Sequence, residues 1–136
     1  MNVNFPYYQF LGYKMLESHF YRNTDDTIKN FTIQVINNEY HKESFIYNIL
    51  INIKLEFENC NVSSFTFSAG YKIFDEQWLE NLNENSIKSL FFSVVFPFIR
   101  EKINSFCDDS RGGLIIPIID LRGIDLSNEV IFTSNK

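Results

Sequence analysis

The sequence has very few residues with redox or metal-binding chemistry. Its two cysteines, Cys60 and Cys107, stand alone, without the paired spacing of a zinc site or of a disulfide framework. Its two histidines, His19 and His41, have no ligand-type partner at helical or turn spacing. We therefore predict a protein without a metal ion or cofactor, whose reduced thiols fit a cytoplasmic location.

Positive charge and long apolar runs are also scarce. The 12 basic residues are outnumbered by 17 acidic ones, which gives a formal net charge of -5 and disfavours binding to the phosphates of nucleic acids. No apolar run approaches the ~20 residues that cross a bilayer, and residues 1–8 lack the pattern of a signal peptide. These absences predict a soluble, cytoplasmic protein.

Patterns of catalytic residues are missing as well. Gly112 and Gly113 follow a segment with helical apolar spacing, where glycine ends a helix, and do not precede one as in a phosphate-binding loop. The acids lie on the polar faces of strands or in an acidic segment, and nothing selects one pair for acid–base work. The sequence therefore predicts that the protein is not an enzyme.

Aromatic side chains are what the sequence has in abundance. The 15 phenylalanines, 7 tyrosines and 1 tryptophan bring the aromatic fraction to 17% of 136 residues. A chain of this length forms a single domain, here residues 1–136, with one core. So many rings predict a Phe-rich core, or an apolar surface that contacts another molecule.

Four segments alternate apolar and polar residues with the period of two of a half-buried strand. The segments are Tyr13–Tyr21, Ile28–Ile36, Phe45–Glu58 and Val62–Phe74. Short turn-like links at 23–27, 37–39 and 58–61 favour an antiparallel meander, since parallel strands need longer crossovers. The third strand is longer than one small chain can easily cover, which indicates an oligomer.

After Asp75 the apolar spacing becomes helical. An acidic loop or short helix around Trp78 precedes a long helix that Asn85 or Ser86 caps. An apolar linker follows this helix, and residues 124–132 predict a short final helix or strand.

One proline interrupts the pattern of the long helix. Pro97 removes the hydrogen bond to the Ser93 carbonyl, at a cost of about 3 kcal/mol. In one interpretation the helix ends near Val95 and a second helix begins at Pro97, a favoured first position. In the other, one helix continues through Pro97, and the hydroxyls of Ser89 and Ser93 compensate freed carbonyls. The apolar spacing on both sides favours the single helix.

The motif around this proline resembles that of one family. The run Phe96-Pro97-Phe98-Ile99-Arg100-Glu101-Lys102-Ile103 is similar to the Phe-Pro-aromatic-x-Arg-Glu-x-Ile pattern in the main helix of the SecB protein-export chaperones. Ala69-Gly70-Tyr71 resembles the end of the family's fourth strand, residues 113–121 its crossover, and Ile124-Asp125-Leu126 the start of its final helix. The resemblance implies an α+β fold, with a four-stranded antiparallel meander sheet followed by a long helix and a short C-terminal helix.

The resemblance also implies a function. SecB-like proteins are ATP-independent chaperones that bind unfolded polypeptides in long apolar grooves, serve protein export, and assemble as tetramers. The positions that match the client-binding groove are Ile33, Val35, Tyr40, Ile115, Ile118 and Leu121. The positions that match the assembly helix are Phe91, Val95, Pro97 and Phe98.

Most of the acids that dock SecB onto the translocation ATPase SecA are absent. Glu17 matches an acidic position of the family's first strand, but Tyr21 stands where a second acid is expected. Residues 62–73 contain no acid, and Gly123 replaces the family's proline near the final helix. Docking to SecA would therefore depend on Glu17, while client binding is not touched by these changes.

Two other functions are compatible with these residues. Some SecB-like proteins are chaperones of an antitoxin in toxin–antitoxin systems, so a binding module dedicated to one partner is an alternative to a general chaperone. A small-ligand or enzymatic domain on an antiparallel sheet is a third function that such folds permit. The residues alone leave all three open.

Overall fold

The computed structural model describes residues 4–20, 27–58, 60–106, 116 and 124–133. These residues form one antiparallel sheet of 5 strands, in the order β1-β4-β3-β2-β5, packed against a long helix. The strands are β1 (Tyr8–His19), β2 (Ile28–His41), β3 (Ile46–Phe57), β4 (Val62–Ile73) and β5 (Val130–Thr133). The helices are α1 (Glu76–Glu80) and α2 (Glu84–Phe106). Among the described residues, no helix is long and apolar enough to cross a bilayer.

The sheet has one buried face, which the alternation of residue types creates. Odd-numbered residues of β3 and β4, such as Ile51 and Phe67, are fully buried, while even-numbered neighbours such as Ser68 are not. Each buried aliphatic or aromatic side chain stabilises the fold by roughly 1.5–3 kcal/mol. The α2 residues that join this core are Ile87, Phe91, Phe92, Val95, Phe96, Ile99 and Ile103. The core therefore lies between the sheet and α2.

One contact ties α2 to the C-terminal end of β4. Tyr71 of β4 is fully buried, and its ring stacks on that of Phe91 with 4.1 Å between the centroids. The Tyr71 hydroxyl donates a hydrogen bond to the Phe91 carbonyl. Burial raises the pKa of Tyr71 well above its usual value, so the phenol keeps the proton that it donates. The contact thus links a side chain of the sheet to the backbone of the helix.

The predicted antiparallel sheet and long helix are confirmed, but the meander holds only for β2, β3 and β4. β1 lies beside β4, with Tyr8 opposite Ile73 and His19 opposite Ser64, and not beside β2. The physical reason is the aromatic inner face of β1. Beside β4, Tyr8 reaches Phe91 at 5.1 Å and Phe10 reaches Phe98 at 5.5 Å between ring centroids, contacts that a local hairpin would forgo.

β2 is longer than its alternation predicted. Residues 37–39, interpreted as a turn, continue the strand, and the turn to β3 lies at 42–45. The register with β3 shifts between Val35 and Asn37, and this bulge interrupts the alternation on which the boundary was placed. β2 therefore extends to His41 and offers a long sheet edge.

α2 is a single helix through Pro97, as the apolar spacing predicted. Its N-cap is Asn83, whose side chain accepts a hydrogen bond from the Ser86 N–H at 2.7 Å, so the predicted cap at Asn85 or Ser86 was wrong. The expected compensation by serine hydroxyls was also wrong. Ser93 donates to the Leu90 carbonyl and Ser89 to the Ile124 carbonyl. Pro97 and Ser93 are exposed, so water can hydrate the freed Ser93 carbonyl.

The described end of the chain contains a strand, one of the two conformations predicted for residues 124–132, and not the short C-terminal helix that the resemblance implied. Residues 126–128 form a turn, and Val130–Thr133 form β5, which pairs with β2. β-branched and aromatic residues favour a strand here, and Phe132 stacks on Phe31 of β2 at 4.7 Å between ring centroids. A distant sheet edge therefore decides the conformation of this segment.

We expect Tyr71→Phe to lower the free energy of unfolding by about 1–2 kcal/mol, because the Phe91 carbonyl loses its donor while the stacked ring remains. Chemical denaturation measures the change. Tyr13→Phe, at a half-buried tyrosine of β1, is the matched control and should change the value by less than about 0.5 kcal/mol. Equal effects of the two substitutions would contradict the role given to the Tyr71 hydroxyl.

We expect Pro97→Ala to raise the free energy of unfolding by about 1–3 kcal/mol. Alanine restores the N–H that bonds the Ser93 carbonyl and removes the clash of the proline ring. The site is exposed, so no core packing is lost. Thermal and chemical denaturation of the two proteins provide the measurement, and a destabilised variant would show that the helix depends on the proline.

Candidate functional site

Three residues of the predicted groove lie in one row on β2. Ile33, Val35 and Tyr40 all face the α2 side of the sheet, since each is opposite an inward-facing residue of β3. Ile33 and Val35 are buried in the core, whereas Tyr40 is half-buried. The row is therefore closed at its first two positions and accessible only at Tyr40.

The other three predicted groove residues, Ile115, Ile118 and Leu121, lie outside the described residues. Their neighbour Ile116 is described and fully buried. Its N–H donates a hydrogen bond to the Asn104 side chain at 2.8 Å. Residue 116 is thus fixed against the C-terminal half of α2.

The C-terminal segment 124–133 lies between α2 and the edge of β2. Leu126 is buried in the same cluster as Ile33 and Val35, and its N–H donates to the Asn85 side chain at 3.0 Å. From there the chain continues to β5, which pairs with residues 30–33 of β2. The chain's own C-terminal segment therefore occupies part of the surface that the sequence predicted as a groove.

The remainder of the same edge is uncovered. In the described part of the chain, no strand pairs with residues 34–41 of β2 on the side opposite β3, and we call this stretch the free edge. Ile36 stands at its bulge and is 49% exposed. A sheet edge with unpaired N–H and C=O groups is a template for adding another strand.

Polar contacts fix the far end of the free edge. The Tyr40 hydroxyl donates a hydrogen bond to the Glu76 carboxylate at 2.6 Å. Burial, helped by this hydrogen bond and by the charge of Glu76, raises the pKa of Tyr40 to about 12, so the phenol stays protonated at neutral pH. Nearby, the Asn38 side chain donates to the Tyr47 hydroxyl. The first bond holds β2 against α1, the second joins β2 to β3, and Tyr40 remains half-buried.

An exposed aromatic patch, formed by Phe5, Tyr7, Phe74 and Trp78, lies where β1 begins and β4 ends. Phe5 is 86% exposed and rests on Phe74 at 6.0 Å between ring centroids. Tyr7 stacks on Trp78 at 5.2 Å. Sequence reasoning missed this patch, although the aromatic cluster at residues 5–8 was a signal for it. It is a second apolar surface of the described residues.

The predicted assembly residues divide into two groups. Phe91 and Val95 are fully buried within the chain's own core. Pro97 is exposed, and Phe98, 44% exposed, leans on Phe10 of the edge strand β1. Only the second pair lies where a second chain could contact it.

Glu17, the predicted docking acid, is on the open face of the sheet. Its carboxylate lies 2.6 Å from the His19 imidazole, and both side chains are exposed. Lys14 and Lys72 lie on the same face, with Lys14 opposite Ser68 and Lys72 opposite Ile46. The open face thus carries charges of both signs around Glu17.

No group of three or more His, Cys, Asp or Glu side chains in the described residues is arranged to hold a metal ion. The chemistry that these surfaces offer is burial of apolar side chains and backbone hydrogen bonding along β2.

Comparison with known proteins places this fold. The sequence matches no family model and no curated protein sequence. Among solved structures, it is similar to the Mycobacterium tuberculosis Rv1957 SecB-like chaperone in complex with a ChAD peptide from the Rv1956 HigA1 antitoxin. The TM-score is 0.58 at 15% sequence identity, over 83% of this chain and 88% of that one. The antiparallel sheet and its long helix therefore have the fold of a SecB-like chaperone.

Proposed function

We propose that this protein is a chaperone that binds unfolded polypeptide segments on the apolar surfaces around β2, without ATP and without a catalytic step. The observation that carries the proposal is the fold, which is that of a SecB-like chaperone solved with a peptide bound. Because one fold can host several functions, the proposal also rests on the surfaces of this chain.

The free edge of β2 supplies what an unfolded segment lacks. A segment laid along residues 34–41 would gain partners for its backbone groups, in the manner of strand addition. The exposed Ile36 and the half-buried Tyr40 would cover apolar side chains of the segment, which contributes roughly 25 cal/mol per Å² of apolar surface buried. This binding energy comes from burial and pairing, so it requires no nucleotide.

The charge of the chain adds a preference. The formal net charge of -5 favours encounter with basic segments of a client, an effect that salt weakens. The net negative charge would thus raise the association rate for basic clients, while apolar burial would stabilise the complex once it has formed.

A second candidate function is a chaperone dedicated to one partner. The peptide bound by Rv1957 comes from an antitoxin, which favours a partner of that class. Docking to SecA for protein export has less support, because Glu17 is the predicted docking acid and it sits beside His19 and Lys14 on a face of mixed charge. We therefore propose an antitoxin-type partner ahead of SecA.

We also propose that the protein assembles as a tetramer through the exposed surface formed by Pro97, Phe98 and β1. β1 is an edge strand, and Leu11 and Leu16 on it are about half exposed. An edge strand with apolar side chains is a liability for a monomer unless it is covered. A second copy of the chain would cover it.

The chaperone proposal predicts that the protein delays the aggregation of a denatured enzyme, such as citrate synthase diluted from denaturant, in the absence of ATP. Light scattering measures the delay. Ile36→Ser should raise the concentration needed for half-suppression about three- to tenfold, because an apolar contact beside the free edge is lost. Val62→Ser is the matched control, since Val62 is 45% exposed at the far end of β4. Aggregation that the wild-type protein leaves unchanged would refute the proposal.

The dedicated-partner alternative predicts one stoichiometric polypeptide in pull-downs from the native cell, identified by mass spectrometry. A general chaperone would instead retain a spread of unfolded precursors. SecA that is still retained after Glu17→Gln would argue against a docking role for this carboxylate.

The assembly proposal predicts a mass of four times 16.1 kDa by light scattering after size-exclusion chromatography. Phe98→Ser should shift the distribution to smaller species, because it removes apolar area from the exposed surface of α2. Glu101→Gln, at an exposed position of the same helix, should leave the mass unchanged. A wild-type monomer would contradict the proposal.

A further inference from the structure

β5 shows what kind of ligand fits the edge of β2. It pairs antiparallel with residues 30–33 and turns Val130 and Phe132 towards the core, with Ile131 on the opposite face and 57% exposed. An extended segment with apolar residues at alternate positions is therefore already seated on one part of this edge. The adjoining free edge continues the same strand to His41.

β5 is held less firmly than the segment before it. Leu126 is buried, its N–H is bonded to Asn85, and the Asp125 carboxylate accepts hydrogen bonds from the N–H and hydroxyl of Ser127. β5 itself spans 4 residues, and Val130 and Phe132 are only half-buried. The anchor of this segment therefore lies at residues 124–127, and β5 projects beyond it.

Two features let β5 leave while the anchor stays. Asn128 and Glu129, which join them, are both exposed and belong to no strand or helix. In addition, the side-chain oxygen of Asn30, opposite Thr133, is buried without a hydrogen-bond partner among the described residues. A buried acceptor without a donor destabilises the arrangement in which β5 pairs beside it.

We propose that β5 is an internal occupant of a strand-addition site on β2, and that an extended polypeptide segment with apolar residues at alternate positions replaces it. The replacing strand would pair along residues 30–41, beyond the stretch that β5 covers. The tethered β5 has the advantage of a high effective concentration, so a free segment competes with it best when it also pairs with part of the free edge. The inference rests on the proposed function, and it adds the site, the ligand geometry and an internal competitor.

A disulfide can lock β5 in place. Thr32 and Ile131 are directly opposite each other, and opposed Cα atoms in antiparallel pairs are about 4.5–5.5 Å apart, within the range of a disulfide. The locked protein carries Thr32→Cys and Ile131→Cys, with Cys60→Ser and Cys107→Ser to prevent other pairings. The same protein under reductant is its control.

A second variant opens the site. Phe132→Ser removes the ring that stacks on Phe31, so β5 should leave more often. Ile131→Ser is the matched control, because it changes a comparable apolar residue on the exposed face of the same strand. Thermal unfolding of each variant verifies that the sheet and α2 stay folded.

The probe for the site is a synthetic peptide with the sequence of residues 127–136, Ser-Asn-Glu-Val-Ile-Phe-Thr-Ser-Asn-Lys. Its binding is followed by NMR shifts of the β2 amides. We expect Phe132→Ser to bind it about three- to tenfold more tightly than the wild-type protein, since the apparent Kd is the intrinsic Kd divided by the open fraction. The locked protein should bind at least about tenfold more weakly, and reductant should restore binding.

The results separate this inference from the proposed function. Peptide binding that is equal in the locked, reduced and Phe132→Ser proteins overturns the inference. A change in mass of Phe132→Ser without peptide binding also overturns it, because it assigns the edge to a second copy of the chain. Reduced and alkylated α-lactalbumin, an unfolded client, tests the function separately. Suppose that no variant binds α-lactalbumin, while the disulfide weakens binding of the peptide and reductant restores it. The strand-addition site is then supported and the chaperone proposal is refuted.

Discussion

The stacking of Tyr71 on Phe91, with the hydrogen bond from the Tyr71 hydroxyl to the Phe91 carbonyl, is the contact on which the rest of the structure depends. It joins a side chain of the sheet to the backbone of the helix and fixes α2 over one face. Because the odd-numbered positions of the central strands are apolar, that face must be covered for the chain to fold. The position of α2 in turn decides which apolar side chains of the sheet are covered and which remain exposed.

A sheet with one covered face still has two edges, and the surfaces for which we propose a function lie at these two edges. β1 forms one edge, where Leu11 and Leu16 are about half exposed and Phe10 packs on Phe98 of α2. β2 forms the other, covered over residues 30–33 by β5 and uncovered over 34–41 in the described chain. Both edges have unpaired backbone N–H and C=O groups next to apolar side chains, and this combination favours the addition of a strand. Assembly and client binding are thus proposed for opposite edges.

Much of the fold could be predicted because its signals are local. The period of two in β3 and β4 survives in the structure almost residue for residue, and the helical spacing held through Pro97 since its ring lies on the exposed side. Of the candidate site, the row of Ile33, Val35 and Tyr40 lies together on β2. The burial of Ile33 and Val35 could not be predicted, because it depends on packing by the C-terminal segment 124–133, which is distant in sequence.

The sequence by itself determined that β1 to β4 are strands and which segment is the long helix, because alternation and helical spacing are encoded by near neighbours. Only the tertiary structure decided that β1 pairs with β4, that Val130–Thr133 form a strand, and which apolar residues remain exposed. Those outcomes depend on contacts such as Phe10 with Phe98 and Phe132 with Phe31, made between residues far apart in the chain. The energy of such contacts depends on how the core is packed, so it cannot be predicted from the local sequence pattern.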